Sequence, residues 1–229
     1  MDFIQEGLAQ AITLLVSRDP ETYSAISATI RASSLAMAAS LLLGIPFGYI
    51  LGYFDFRLKN FFRIVVNTLL SLPTVFIGLV IYALLTRKGP LGEAGLLFTI
   101  TGIAIGQTIL SLPIIIALTA TAVEAADRNL RITLMSLGAS PFQIGKSTLW
   151  EVRLGIMAAA VTATGRVLTE VGISLMVGGN IKWHTRTITT AIALETNKGE
   201  FGMGIALGLV LLLIAFTVNI FLAGLRRRI

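Results

Sequence analysis

The chain alternates between long apolar segments and shorter polar ones. Five apolar segments, at about 24–54, 62–85, 96–123, 154–177 and 201–225, reach the length of about 20 residues that a helix needs to cross a bilayer. This pattern predicts an all-α integral membrane bundle with about five transmembrane helices. We expect a single transmembrane domain over residues 1–229, with a five-span core at 24–225, in a multi-pass protein of the cell membrane.

The first 23 residues do not fit a membrane span. Their apolar run from Leu8 to Val16 is too short to cross a bilayer, and Pro20 favours a helix end just before it. No basic segment followed by a small-residue cleavage site marks a signal peptide. Residues 1–23 are therefore predicted to form an N-terminal interfacial helix.

The longest polar interval, residues 124–153, separates the third and fourth apolar segments, and we call it the elbow. Its composition predicts one or two short helices at the membrane surface. Gly138 suits a helix C-terminal cap, Ser140 an N-cap and Pro141 a first helical turn, which together indicate a helix stop and restart. The six central residues are Leu137, Gly138, Ala139, Ser140, Pro141 and Phe142.

Composition and charge narrow the class of protein. Hydrophobic residues make up 55% of the chain, charged residues only 13%, and the mean hydropathy of +0.86 excludes an ordinary soluble domain. The net charge of +6 accompanies no basic domain interleaved with aromatic residues, so no nucleic-acid partner is expected. With no cysteine and the single histidine His184, we expect no metal site and no catalytic site.

The distribution of Lys and Arg predicts the orientation in the membrane lipid. Ten of these residues fall on the side of the elbow and the C-terminus, including the basic tail at 226–229. Six fall on the other side, or seven with Arg31. Because basic residues concentrate in cytoplasmic loops, the elbow and C-terminus are predicted to be cytoplasmic and the N-terminus external.

Polar and helix-breaking residues within the spans are the candidates for function. Pro73 and Pro113 are predicted to break the second and third spans, which would leave carbonyls unpaired. These breaks are either packing kinks or bends that line a water-accessible path. The path candidates are Pro73, Thr74, Ser111 and Pro113.

Arg166 and Glu170 form a candidate ion pair near the middle of the fourth span. Their i,i+4 spacing predicts that they stack on one helix face, where each charge compensates the other. The pair is either structural, fixing helix register, or in direct contact with a substrate. In the outer loop at 181–200, Thr185, Arg186 and Thr187 are expected to offer hydrogen-bond donors towards the exterior, or else to lie on a solvated amphipathic helix.

A nucleotide site is disfavoured. Residues 140–147 nearly match the phosphate-binding pattern G-x-x-x-x-G-K-[ST], but the first glycine is missing. Pro141 removes a backbone N–H, and no β-strand is predicted before it. We therefore expect the chain itself to bind no cofactor.

Several stretches resemble permease subunits of ABC importers. The elbow sequence L-G-A-S resembles the coupling loop of that family, although its E-A-A positions read Ile132, Thr133 and Leu134. Residues 72–78 and 89–92 resemble the L-P-P-x-V-x-G and G-P-L-G patterns of molybdate-type permeases. Residues 166–180 resemble R-x-x-G-E-x-G … G-N of sulfate and molybdate permeases, with Thr169 in place of a glycine. The outer loop is most similar to the tungstate branch.

The resemblance implies the permease subunit of an importer for an oxyanion, tungstate or molybdate. It implies a homodimer, two cytoplasmic ATP-binding subunits that use the ATP, and an extracytoplasmic substrate-binding protein. An ATPase-independent secondary anion transporter or channel is the alternative. Such transporters usually contain paired repeats or proton-carrying carboxylates, whereas this sequence has no evident repeat and Glu170 as its one mid-span carboxylate.

Overall fold

The computed structural model describes residues 2–126 and 128–228, and its regular elements there are all helical. Met1, Asp127 and Ile229, which belong to the predicted N-terminal segment, elbow and tail, lie outside the described residues. The helices are α1 (Asp2–Val16), α2 (Pro20–Tyr53), α3 (Lys59–Leu70), α4 (Thr74–Leu85), α5 (Ile100–Glu124), α6 (Arg128–Ser136), α7 (Pro141–Glu151), α8 (Arg153–Leu168), α9 (Gly172–Gly178), α10 (Ile188–Asn197) and α11 (Phe201–Arg228), with a short 3₁₀ turn at Gly92–Ala94.

The predicted all-α membrane bundle is confirmed. Three helices are long and apolar enough to cross a membrane, namely α2, α5 and the Phe201–Gly224 part of α11. Two bent pairs, α3 with α4 and α8 with α9, raise the number of spans to as many as five. The bend is 99° in the first pair and 58° in the second, so each pair is either a broken span or a re-entrant loop.

The first span begins earlier than the sequence pattern predicts. Helix α2 starts at Pro20 rather than near residue 24, because the Asp19 carboxylate caps it by accepting from the Thr22 amide at 2.7 Å. Helix α1 packs along α11, where Gly7 lies against Ile205 and a Cβ at Gly7 would be 2.6 Å from the Ile205 Cγ2. The N-terminal segment is therefore attached to the last span.

Close packing between α2 and α5 forms the centre of the bundle. Gly44, Gly48 and Gly52 on α2 face α5, and a Cβ at any of them would lie less than 3.0 Å from an atom of that helix. Small residues allow this approach of the backbones, which is how membrane helices gain packing contacts. Ala36, Ile115 and Ala163 bring α2, α5 and α8 together in one buried cluster.

Only one of the two predicted proline breaks exists. Pro73 separates α3 from α4, but α5 continues through Pro113, so the predicted break of the third span is wrong. Pro113 is buried, and α5 packs against α2 and α8, which hold the helix together around the missing N–H. The fourth span, by contrast, is broken at residues 169–171, where no proline occurs.

Contacts between span ends identify two sides of the bundle. On one side, Glu124 at the end of α5 pairs with Lys59 at 3.4 Å and with Arg63, both on α3, and this side also holds the elbow. On the other, Glu21 of α2 pairs with Lys182 at 2.7 Å and with Arg186. The start of α2 and the segment after α9 therefore lie on one side, and the start of α3, the end of α5 and the elbow lie on the other.

Candidate translocation path and coupling surface

The two helix breaks lie next to each other, at a part of the bundle where Pro73 and Val75 are exposed. Gly172, which begins α9, lies against the start of α4, and a Cβ there would be 3.0 Å from the Val75 Cγ2 and 3.2 Å from the Thr74 Oγ1. Pro73 and Thr74, two of the path candidates, are therefore at this junction. Irregular backbone at membrane depth is tolerated where it is buried in protein or lines a water-filled cavity.

Ser111 and Pro113 lie elsewhere. The Ser111 hydroxyl is 2.6 Å from that of Ser40 and donates to the Gln107 carbonyl at 2.7 Å, inside the α2–α5 interface. Both Ser111 and Pro113 are buried. The structure therefore does not bring these two path candidates to the junction of the breaks.

The predicted helical stacking of Arg166 and Glu170 is wrong, although the pair itself exists. Arg166 lies in the last turn of α8, whereas Glu170 follows the end of that helix, in the segment between α8 and α9. The Arg166 Nη1 is 3.6 Å from the Glu170 Oε2, which is an ion pair but too long for a hydrogen bond.

Glu170 is a buried connector. It is 2% exposed, and its Oε1 accepts from the Ile173 amide at 3.0 Å in the first turn of α9. Its backbone carbonyl accepts from the Thr189 hydroxyl at 2.8 Å, which links the break to α10. The hydrogen bond from Ile173 and the ion pair with Arg166 offset part of the cost of burying the carboxylate.

Arg166 is much less enclosed than its partner. Its side chain is 45% exposed and borders a cavity of about 590 Å³, which we call the Arg166 cavity. The lining residues are Leu70, Ile114, Ala117, Leu118, Val161, Thr162, Gly165, Arg166 and Thr169. Arg166 is the charged residue of this otherwise largely apolar lining. The sequence predicted the ion pair, but it did not predict that Arg166 is exposed while Glu170 is buried.

The outer-loop candidates are buried rather than directed towards the exterior. The Thr185 hydroxyl donates to the Gly178 carbonyl and accepts from the Ile181 amide at 3.1 Å. Thr187 caps α10 through a reciprocal hydrogen-bond pair with Thr190, and both are buried. Arg186 contacts Glu21 and donates to the Asn180 Oδ1 at 3.2 Å. The expected external donors therefore hold the outer loop against the bundle.

The elbow contains two helices, α6 and α7, as its stop-and-restart sequence predicts. Gly138 has a φ of 76°, in the left-handed region that favours glycine. The Ser140 hydroxyl accepts from the Gln143 amide, and the Gln143 side chain accepts from the Ser140 amide at 2.7 Å, which completes a capping box. The P-loop-like residues 140–147 thus form an ordinary helix start.

Large apolar side chains of the elbow face outwards. Phe142 is 82% exposed and Trp150 is 64% exposed, and Leu137 and Met135 are exposed as well. Between α7 and the end of α2 lies a mainly apolar cavity of about 790 Å³, the elbow cavity, to which Tyr49 and Tyr53 contribute stacked rings 4.9 Å apart.

Sequence reasoning missed the two tyrosines. Their i,i+4 spacing at the elbow end of α2 was the signal that could have indicated them. Gly145 brings α7 onto α2, since a Cβ there would lie 3.3 Å from the Tyr49 hydroxyl. Large exposed apolar side chains grouped on one element are typical of protein interaction sites.

Comparisons with known proteins agree with this arrangement. The family model described as the binding-protein-dependent transport system inner membrane component matches residues 44–229. The chain is 48% identical over 227 residues to the tungstate uptake system permease protein TupB of Campylobacter jejuni, covering 99% of this chain and 95% of that one. It is 30% identical over 217 residues to the molybdenum transport system permease protein ModB of Escherichia coli, covering 88% of this chain and 94% of that one.

The fold has a counterpart among solved structures. A chain of the MetNI methionine ABC transporter, in inward-facing conformations, matches with a TM-score of 0.73 over 92% of this chain and 98% of that chain, at 18% sequence identity. This likeness concerns the fold alone. The family model covers most of the chain, and it describes a membrane component of a transport system rather than an enzyme. The chain therefore belongs to the inner-membrane component family of binding-protein-dependent transport systems, as a multi-pass protein of the cell membrane.

Proposed function

We propose that this chain is the permease subunit of an ABC importer that carries tungstate across the cell membrane. The observation that carries the proposal is the 48% identity to a tungstate uptake permease over 99% of the chain. Molybdate is the second candidate, because a molybdenum permease is 30% identical. The difference in identity, together with the outer loop that resembles the tungstate branch, favours tungstate.

The elbow, residues 124–153, is the proposed coupling loop. Its exposed Leu137, Phe142 and Trp150 form an apolar surface for a cytoplasmic ATP-binding subunit. Only Val152 separates α7 from α8, so a displacement of the elbow moves α8 directly. Because α8 carries Arg166, force from the ATPase reaches the junction of the two breaks through one short helical connection.

A homodimer completes the proposed assembly. One copy leaves the Arg166 cavity open on its surface, and lipid is a poor environment for an exposed guanidinium. A second copy facing this cavity encloses the anion path between the two chains. ATP binding by two partner ATPases then draws the elbows together and opens the path outward, and hydrolysis resets it. The external substrate-binding protein delivers the anion and supplies most of the selectivity.

An ATPase-independent transporter or channel is the competing function. This competing function is less well supported for two reasons. The elbow presents apolar side chains that a channel does not need, and the chain belongs to a binding-protein-dependent family. The decisive experiment reconstitutes the permease in proteoliposomes with its ATPase and tungstate-loaded binding protein.

Uptake of tungstate should require both the binding protein and ATP, and a vesicle lacking either should remain empty. The assay is repeated with molybdate on the same binding protein, and with sulfate as a further control. The uptake rates then rank the three anions. Uptake that continues without ATP would identify the secondary transporter instead. Uptake of molybdate at a higher rate than tungstate, at saturating binding protein, would reassign the substrate.

A further inference from the structure

We propose that Arg166 is the residue that the oxyanion contacts while it crosses the membrane, and that Glu170 keeps this contact weak enough for release. The inference rests on the proposed function and adds a residue to it. Of the two roles that the sequence left open for the pair, it favours contact with the substrate over the fixing of helix register.

The first support is the exposure of a cation in an apolar region. Arg166 lies in the inner segment of a broken span, and its side chain is 45% exposed towards the Arg166 cavity. A charged side chain at membrane depth usually faces the bundle interior or a water-filled cavity, because contact with lipid is unfavourable. The exposed guanidinium therefore indicates that water or a polar solute reaches this cavity in the assembled transporter.

The second support is the looseness of the ion pair. Glu170 uses Oε1 to cap α9 and leaves Oε2 at 3.6 Å from the Arg166 Nη1. A guanidinium has five N–H donors, and within the described residues this ion pair is the one polar contact that the Arg166 guanidinium makes. Its planar fork can therefore bind two oxygens of a tetrahedral anion such as tungstate.

The third support comes from the neighbouring hydroxyls. Thr162 donates to the Ala158 carbonyl and Thr169 donates to the Gly165 carbonyl, each at 3.0 Å on their own helix. These threonines therefore do not offer their protons to the cavity. Arg166 is left as the main donor on this part of the lining, which makes it the group that an anion would meet.

Glu170 explains why the anion is not trapped. Its buried carboxylate is fixed by α9 and lies behind Arg166, so it reduces the positive potential that a dianion experiences. The anion is attracted to the guanidinium but repelled by the carboxylate at short range. A contact of this kind shortens the stay of the anion without removing the attraction, as passage through a transporter requires.

The first test measures tungstate uptake by the reconstituted complex with Arg166→Gln, Arg166→Lys and the double variant Arg166→Gln/Glu170→Gln. The single glutamine variant leaves Glu170 buried without a counter-charge, so its rate loss can come from misfolding. The double variant removes both charges, with an isosteric replacement at residue 170 and a shorter polar one at residue 166, and its thermal midpoint shows whether it is folded. Lys88→Gln, on an exposed turn of the other side, is the matched charge control.

We expect the double variant to be folded but at least ~10-fold slower at saturating binding protein, a barrier increase of about 1.4 kcal/mol. The half-saturating concentration of binding protein should change less than about two-fold, because docking is separate from passage. Arg166→Lys should exceed the double variant by at least ~3-fold, since it keeps the positive charge beside Glu170. Wild-type rates in the double variant, or equal rates for Arg166→Lys and the double variant, would overturn the inference.

The second test asks whether water reaches the cavity. The chain has no cysteine, so Thr169→Cys introduces a single thiol beside Arg166. Leu212→Cys is the control, because it places a thiol on the exposed apolar face of α11, which is a candidate membrane span. During turnover, a charged thiol reagent should modify the Thr169 position and not the Leu212 position. Lack of reaction at residue 169 would overturn the inference. Wild-type complex that fails to transport tungstate at all would instead contradict the proposed function, so the two failures are distinguishable.

Discussion

Among single residues, the pair of Arg166 and Glu170 shows how a helix break changes the role of each partner. On a continuous helix the two charges would lie side by side on one face. Here the chain leaves the helix after Leu168, so Glu170 turns inward to cap α9 while Arg166 stays at the surface of the Arg166 cavity. The same spacing therefore gives one buried connector and one exposed cation.

Single glycines on α2 have an equally local effect, because they leave space for α5. A Cβ at Gly48 would lie 2.7 Å from the Thr119 Cβ and 2.8 Å from the Ile116 carbonyl oxygen, neither of which can move freely. We predict that Gly48→Ala lowers the free energy of unfolding by about 1–3 kcal/mol, because overpacking strains both helices. The thermal midpoint of the purified protein measures this.

Gly224→Ala is the matched control for the glycine prediction. Gly224 lies on α11, and a Cβ added there would meet open space rather than a neighbouring side chain or helix. The midpoint of this variant should stay unchanged or rise slightly, since alanine favours helix over glycine. If Gly48→Ala were as stable as Gly224→Ala, the α2–α5 contact would be looser than the structure shows.

Among the helical elements, the elbow is built from local signals. The left-handed Gly138 ends one helix, and the capping box of Ser140 and Gln143 starts the next. Since α7 leads into α8 through Val152 alone, the elbow can transmit force without a flexible linker. Its exposed aromatic side chains form the surface that a partner can contact.

Phe142 is the best single test of that surface. It is 82% exposed, so Phe142→Ala should leave the fold intact and remove an aromatic contact with the ATPase. We expect co-purification with the ATPase to weaken by roughly 30-fold, about 2 kcal/mol, as for an aromatic anchor at an interface. Leu91→Ala, exposed on the other side of the bundle, is the control and should bind the ATPase normally. Equal recovery of both variants would place the ATPase elsewhere.

Across the whole molecule, alternating spans place polar clusters on two opposite sides. The absence of cysteine in the sequence makes a direct topology test possible. In intact cells a thiol introduced by Lys198→Cys should react with an impermeant reagent from outside. One introduced by Gln143→Cys should react only after the membrane is opened. Reaction of both from the same side would contradict the five-span arrangement.

The proposed assembly also places selectivity for the anion outside this chain. Within the described residues, the lining of the Arg166 cavity contains one cation, and Glu170 lies next to it. We therefore predict that the purified permease without binding protein binds tungstate with a dissociation constant above about 1 μM, weaker than roughly −8 kcal/mol. Calorimetry measures this. Tighter binding would show that the permease contains its own selective site.

The class of fold and the helices of the elbow could be predicted from the amino-acid sequence. Apolar segment length decides which parts can cross a bilayer, because a membrane helix satisfies its own backbone hydrogen bonds. Caps are equally local, since Gly138, Ser140 and Pro141 act on groups within a few residues. Both kinds of signal are readable without knowing which helices are neighbours.

The environments of the candidate site residues depend instead on how the helices pack. Pro73 breaks its span and Pro113 does not, because α5 is enclosed by α2 and α8. Thr185 and Thr187 are polar in a polar loop, yet they are buried because the loop folds back onto the bundle. The exposure of Arg166 depends on a break that no proline marks. In each case contacts between distant segments, which spacing along the chain does not encode, determine the environment of the residue.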